Sequence, residues 1–165
     1  MPTIITHALV PAAIAVGLGQ RVIPARLAAA GAIAAMVPDV DVLGLKLGIP
    51  HGSDFGHRGF THSLAFAAAL AFAGGSWRGW LFLFLAVTSH GMLDAFTNGG
   101  AGIEFFWPFS DQRHFAPWRP IEVSPLGIRG FFSARGVEVL KSEVIWVWLP
   151  TLALALALFA ARRRQ

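Results

Sequence analysis

Five stretches of the chain carry no Asp, Glu, Lys or Arg: residues 1–20, 27–38, 59–77, 79–93 and 144–161. Each is rich in Ala, Leu, Ile, Val and Phe, so the pattern predicts an all-α bundle of about five apolar helices embedded in a membrane. A helix needs about 20 residues to cross the hydrocarbon layer. The second and fourth windows are shorter, so they must tilt little, run into polar flanks or sit in thinned bilayer. Punctuation sharpens the boundaries. Pro38 stops the second helix, Thr61 or Ser63 caps the third and Gly74-Gly75 ends it. The fourth runs from about Trp80 to Phe96 and closes at Asn98-Gly99-Gly100. Ser133 caps a long fifth helix, in which Pro150 predicts a kink. Ala and Gly in the first three helices allow close backbone packing.

Composition agrees with this reading. Only 13% of the 165 residues are charged and 55% are apolar, against about 25% charged in ordinary soluble domains; the mean hydropathy is +0.61. A soluble monomer is excluded on this balance. No Lys or Arg precedes Arg21, so the first apolar stretch reads as a retained helix and not a cleaved signal peptide. The expected organisation is one domain over 1–165, with an aromatic and Arg-rich insertion over 100–143 and a last transmembrane helix over 144–161. Without cysteine there are no disulfides and no thiolate metal sites.

The polar residues are not scattered. His7 opens the first helix, Asp39 and Asp41 follow the second, His57 and His62 precede the third, and His90 and Asp94 close the fourth. Short connections make neighbouring helices antiparallel, which brings all seven groups to one end of the bundle. The opposite end holds Arg21, Arg26, Arg78 and Arg162-Arg163-Arg164: six basic residues and no acidic one. The converging end and its insertion hold the other seven basic residues and all nine acidic ones. The positive-inside rule makes the Arg end cytoplasmic, with five crossings, the N-terminus outside and the polar cluster extracytoplasmic. The net charge of +4 is thus an orientation signal, and nucleic acid is not an expected partner.

Imidazole and carboxylate are the donors that Zn²⁺, Mn²⁺ or Fe²⁺ take where thiolate is lacking. His90 and Asp94 in H-G-M-L-D are spaced i, i+4 and share a helical face. Asp39 and Asp41 in P-D-V-D, on extended backbone, would point to opposite sides, so that one binds metal while the other orients a histidine. His57 and His62 in H-R-G-F-T-H-S share no helical face, so His57 must bend back from the loop. Taken singly, each residue has a plain structural reading as a capped or solvated helix-end group. Their co-location argues for a metal centre, because ionisable groups at membrane helix ends are costly unless paired or functional.

The motifs T-H at 6–7, P-D-V-D at 38–41, H-R-G-F-T-H-S at 57–63, H-G-M-L-D-A-F-T-N-G-G at 90–100 and W-P-F-S at 107–110 together resemble the YdjM-like family of inner-membrane-associated metal-dependent hydrolases. The resemblance covers nearly the whole chain. The order His, Asp, His, H-x-x-x-D also looks like that of zinc-dependent phospholipase C and the P1-type nucleases. That more distant likeness implies one part of a site from His7, one of Asp39 and Asp41, and His57, and another from His90 with Asp94. Those enzymes also use a free N-terminal tryptophan and further histidines that have no counterpart here, which implies one or two ions and not three.

The resulting expectation is a membrane-embedded hydrolase of a phosphoester, carried by a lipid or another membrane-proximal molecule. His7, Asp39, His57, His90 and Asp94 would ligate a divalent ion, zinc first, with Mn or Fe as alternatives. Asp41 and His62 would act behind the ligands or as general acid and base, and Arg58 would hold phosphate. The insertion reads as an interfacial aromatic loop or as a lid bringing Arg113 or Arg119 to the substrate. Glu104 and His114 are extra ligand candidates without favourable spacing. Glu138 and Glu143 are expected in the first turns of the last helix, with Trp146 and Trp148 as its interface anchor. The competing classes are a metal-ion transporter or sensor, which needs polar groups through the bundle, and a non-catalytic scaffold. Oligomeric state is not legible.

Overall fold

A computed structural model describes residues 1–125 and 128–164. All five predicted helices are present. α1 spans Ile4–Leu18 and α2 Ala25–Ala34, continued by a 3-10 turn (Val37–Asp41) and a short α3 (Val42–Lys46). α4 covers Leu64–Ala71, extended by a 3-10 turn (Phe72–Gly74), and α5 runs Trp77–Ala95. A short α6 (Ile128–Phe131) precedes α7 (Ala134–Glu143), a π-helical stretch (Val144–Trp148) and α8 (Leu149–Arg163). Two continuous runs, Ala25–Lys46 with 22 residues and Ala134–Arg163 with 30, are long and apolar enough to cross a membrane.

Capping explains most boundaries. Ser63, not Thr61, caps α4 by accepting the Phe66 N–H, and Gly75 closes that hairpin in the left-handed conformation at φ 66°. Ser76 caps α5 by accepting the Gly79 N–H, so this helix starts three residues before the expected Trp80. Ser133 caps α7 as expected.

Two expectations need correction. Asp39 and Asp41 lie on a 3-10 turn, not on extended backbone. Proline is tolerated in the first turn of a helix because its missing N–H would have no partner there, so Pro38 opens a new turn instead of ending helical structure. Where Pro150 predicts a kink, a π-helical stretch lies immediately upstream, over Val144–Trp148. Widening the turn relieves the clash that a proline ring makes with the carbonyl four residues before it.

α1 packs against α8 and α2, and α5 against α4 and α2. The core of Ala15, Ile23, Ala34, Ala67, Ala71, Phe82, Leu83 and Val87 is mostly small residues. Gly17 lets α1 and α8 approach backbone to backbone, since a Cβ there would lie 2.7 Å from the carbonyl oxygen of Ala155 in α8. At Gly31 a Cβ would collide with the Phe82 ring. Gly17→Val should therefore push α1 off α8 and cost about 1–3 kcal/mol, whereas Gly52→Ala, with nothing within 4 Å, should change little. Thermal unfolding of the two variants in detergent checks this contrast.

Candidate metal centre

The helix ends deliver the seven predicted groups to one place, as antiparallel connectivity requires. Asp39, His62, His90 and Asp94, all buried, each offer a ligand atom within 4.8 Å of the others; Asp41, His57 and His62 form a second such group. His62 belongs to both. His62 Nε2 faces His90 Nε2 at 3.0 Å and Asp94 Oδ2 at 3.6 Å, while Asp39 Oδ1 lies 3.3 Å from His90 Nε2. His7 stacks on His90, with ring centroids 3.7 Å apart, and its Nε2 is 3.5 Å from Asp94 Oδ1.

Outer partners fix three of the imidazoles. His90 Nδ1 lies 2.7 Å from the Ala35 carbonyl oxygen, which only accepts, so Nδ1 carries the proton and Nε2 presents its lone pair to the centre. Asp41 accepts from His57 Nδ1 at 2.7 Å and from the Thr61 hydroxyl at 2.6 Å, and its Oδ2 is 3.2 Å from both His62 Nδ1 and the Arg58 amide nitrogen. Carboxylate and carbonyl partners of this kind set the tautomer and aim of metal-bound histidines.

Sequence reasoning therefore sorted some roles differently from the geometry. His62, expected behind the ligands, stands in the centre of the cluster. His57, expected as a leading ligand, sits with Asp41 in the second group. Arg58 is fully buried: Nε is 3.1 Å from Asp94 Oδ2, and the guanidinium donates to the carbonyls of Gly99 and Ala101 and to the Thr97 hydroxyl. It neutralises Asp94 and anchors the insertion, with most of its donors already engaged. Its backbone sits at φ 69°, where a non-glycine residue is strained by about 1–3 kcal/mol, and these contacts hold it there.

The insertion folds back over this end. Ile103 and His114 exchange backbone hydrogen bonds at 2.9 Å, and the Leu64 amide donates to Phe105 O. Arg113 donates to the carbonyls of Ser53 and Gly102 and pairs with Glu104. Burial pushes the Glu104 carboxyl above its ordinary value, with Arg113 pulling the other way. Neither Glu104 nor His114 joins a ligand group, and Arg119 is exposed with its guanidinium over the Phe115 ring.

The donor set fits a divalent ion. Both carboxylate oxygens of Asp39 and of Asp94 and both ring nitrogens of His7 are buried without a hydrogen-bond partner among the described residues. Buried carboxylates held together are costly unless positive charge neutralises them; Arg58 at 3.1 Å and the Met1 amino group at 4.0 Å supply it to Asp94, whereas Asp39 faces only the imidazole of His90.

Among the described residues the protein is an all-helical bundle with two apolar runs long enough to cross a membrane and a buried His/Asp cluster at one end. The chain belongs to the YdjM inner membrane protein family, whose model matches residues 1–165. It is 49% identical over 173 residues to inner membrane protein YbcI of Escherichia coli (strain K12), covering 99% of this chain and 100% of that protein. No solved structure matches the chain.

A divalent ion held by these groups would compete with protons for the imidazole nitrogens and carboxylate oxygens, so Co²⁺ affinity should rise with pH, with protons released to the buffer in titration calorimetry. An affinity that is flat between about pH 5 and 8 would contradict this arrangement.

Proposed function

We propose that this inner membrane protein is a metal-dependent hydrolase, with a divalent ion held by Asp39, His62, His90 and Asp94 and with His7 as a further ligand. The observation that carries the reading is that the buried carboxylates of Asp39 and Asp94, without hydrogen-bond partners among the described residues, each lie with a ring nitrogen of His62 and of His90 within 4.8 Å of one another. A cysteine-free set of imidazoles and carboxylates suits zinc, or Mn or Fe. When bound, the ion supplies Lewis acidity to the oxygen of a scissile ester. The chain's own residues do the rest. Asp41 orients His57 and His62, Arg58 holds Asp94, and His57, aimed by Asp41 at the edge of the cluster, is placed to exchange a proton with the reacting group.

The substrate class is a phosphoester on a lipid or another membrane-proximal molecule. The bundle crosses the inner membrane several times with the cluster on the extracytoplasmic side. Supporting this orientation, Arg21 and Arg162 line one cavity, and Arg26 and Arg78 another, both away from the His/Asp end. A transporter is disfavoured because the interior between the two ends is Ala15, Ala67, Ala71, Phe82, Leu83 and Val87, which gives an ion no partners along a path.

Purified protein should contain a divalent metal by elemental analysis. His90→Ala and Asp94→Ala should lose it while still inserting, and Asp41→Asn should weaken binding about 10–100-fold; His114→Ala should keep it. In liposomes the metal-loaded protein should cleave some member of a phosphoester panel and carry no ion flux. Full metal retention in the His90 and Asp94 variants would sink the site, and flux without cleavage would favour transport. A reporter fused to the C-terminus should behave as cytoplasmic, and one in the 100–143 insertion as extracytoplasmic.

A further inference from the structure

Glu143 is a fully buried carboxylate at the junction of α7 and the π-helical stretch, and nothing so far gives it a task. It accepts hydrogen bonds from the backbone amide and hydroxyl of Thr3 and from the hydroxyl of Thr6, the last two at 2.7 and 2.6 Å. Trp148, one turn further along, donates its indole N–H to the same Thr6 oxygen at 2.7 Å. Thr3 is the N-cap of α1 but makes no side-chain cap of its own. Glu143 thus takes over the cap from 140 residues away in sequence. A negative charge at that position also meets the positive end of the α1 dipole.

His7 is the next residue after Thr6, and its amide lies 3.4 Å from the Thr3 carbonyl in the first turn of α1. Its ring differs from the other imidazoles of the centre. His90 has Ala35 O, and His57 and His62 have Asp41, whereas both nitrogens of His7 lack a hydrogen-bond partner among the described residues. Stacking on His90, a 3.5 Å approach of Nε2 to Asp94 and the placement of its backbone orient it. That placement is set by the first turn of α1, and the first turn is tied to the last helix by Glu143. We propose that Glu143 is a positioning residue of the metal centre: by capping α1 through Thr3 and Thr6, it fixes the height and rotation of His7 against His90 and Asp94. The role rests on the reading of the cluster as a metal centre, and it gives the last helix, which contributes no ligand, a part in assembling the site.

The test uses the full-length protein in detergent, with Co²⁺ as the metal probe. Glu143→Gln replaces one acceptor oxygen with an amide donor facing donors, and it should weaken Co²⁺ binding about 10–100-fold and alter the visible d–d bands of the remaining complex. Glu138→Gln, whose carboxylate pairs with Arg135 at the surface, should do neither. A second route is Thr6→Val, which removes the hydroxyl between Glu143 and Trp148 and keeps the side-chain volume; it should give the same spectral change even if the Glu143 variant fails to insert. A metal-independent measurement runs beside these: acylation of histidines by diethyl pyrocarbonate, located by mass spectrometry, should be faster at His7 in both variants and unchanged at His114. If the parent protein binds no Co²⁺, the metal reading fails, while the labelling still decides whether Glu143 sets His7. A lower melting temperature with unchanged Co²⁺ affinity and spectrum would reduce Glu143 to a structural cap, and unchanged His7 labelling would overturn the proposal.

Discussion

Two buried carboxylates govern the polar end of this protein. Asp39 lies 3.3 Å from His90 and Asp94 lies 3.6 Å from His62, the imidazole that faces His90, and Asp94 has no exposed surface. Holding such charges together away from water costs several kcal/mol per ion unless positive charge and hydrogen bonds repay it. Arg58 meets part of the requirement and is locked in turn by Thr97, Gly99 and Ala101, which draws the insertion onto the bundle. Much of the loop structure at this end can be traced back to neutralising Asp94.

The apolar part of the fold makes that convergence possible. Alanine and glycine at the helix contacts let backbones approach closely, as Gly17 does against Ala155. Close axes bring helix ends together, so residues at the ends of four elements meet without long loops reaching across. Larger residues at these contacts would spread the ends by more than an imidazole can bridge, and packing in the bundle therefore sets the dimensions of the cluster.

The convergence was legible in the sequence because it follows from counting: helices of alternating direction put the start of one beside the end of the next, and the charge split gave the same division. The assignment of roles was less legible. The H-R-G-F-T-H-S spacing shows that His57 and His62 share no helical face, but only the 3-10 turn over Phe60–His62 reveals that the second of them enters the centre. Arg58 looked like a phosphate ligand because residue type does not disclose burial. Pro38 read as a stop because a proline that breaks one helix and a proline that opens a 3-10 turn look alike in sequence. Glu143 did carry a signal. Its neighbours three and four positions away, Val139, Leu140, Trp146 and Val147, are all apolar, so its own helix offers it no partner and one must come from elsewhere in the fold.

Helix length bears on what such a centre would act upon. α1 has 15 residues, about 22 Å at 1.5 Å per residue, and His7 lies in its first turn. Asp39 lies within the continuous run Ala25–Lys46, about 21 Å from its start. Both distances are short of the roughly 30 Å of hydrocarbon, so with the six-arginine end anchored at one headgroup layer, the centre lies below the opposite layer and not above it. A water-soluble ester would have to give up its hydration to descend to that depth. An amphiphile already has its apolar part in the bilayer and its ester close to the boundary, so it approaches the ligands without that penalty. On the proposed reading, the position of His7 and Asp39 along their helices is what favours a lipid-borne phosphoester over a soluble one.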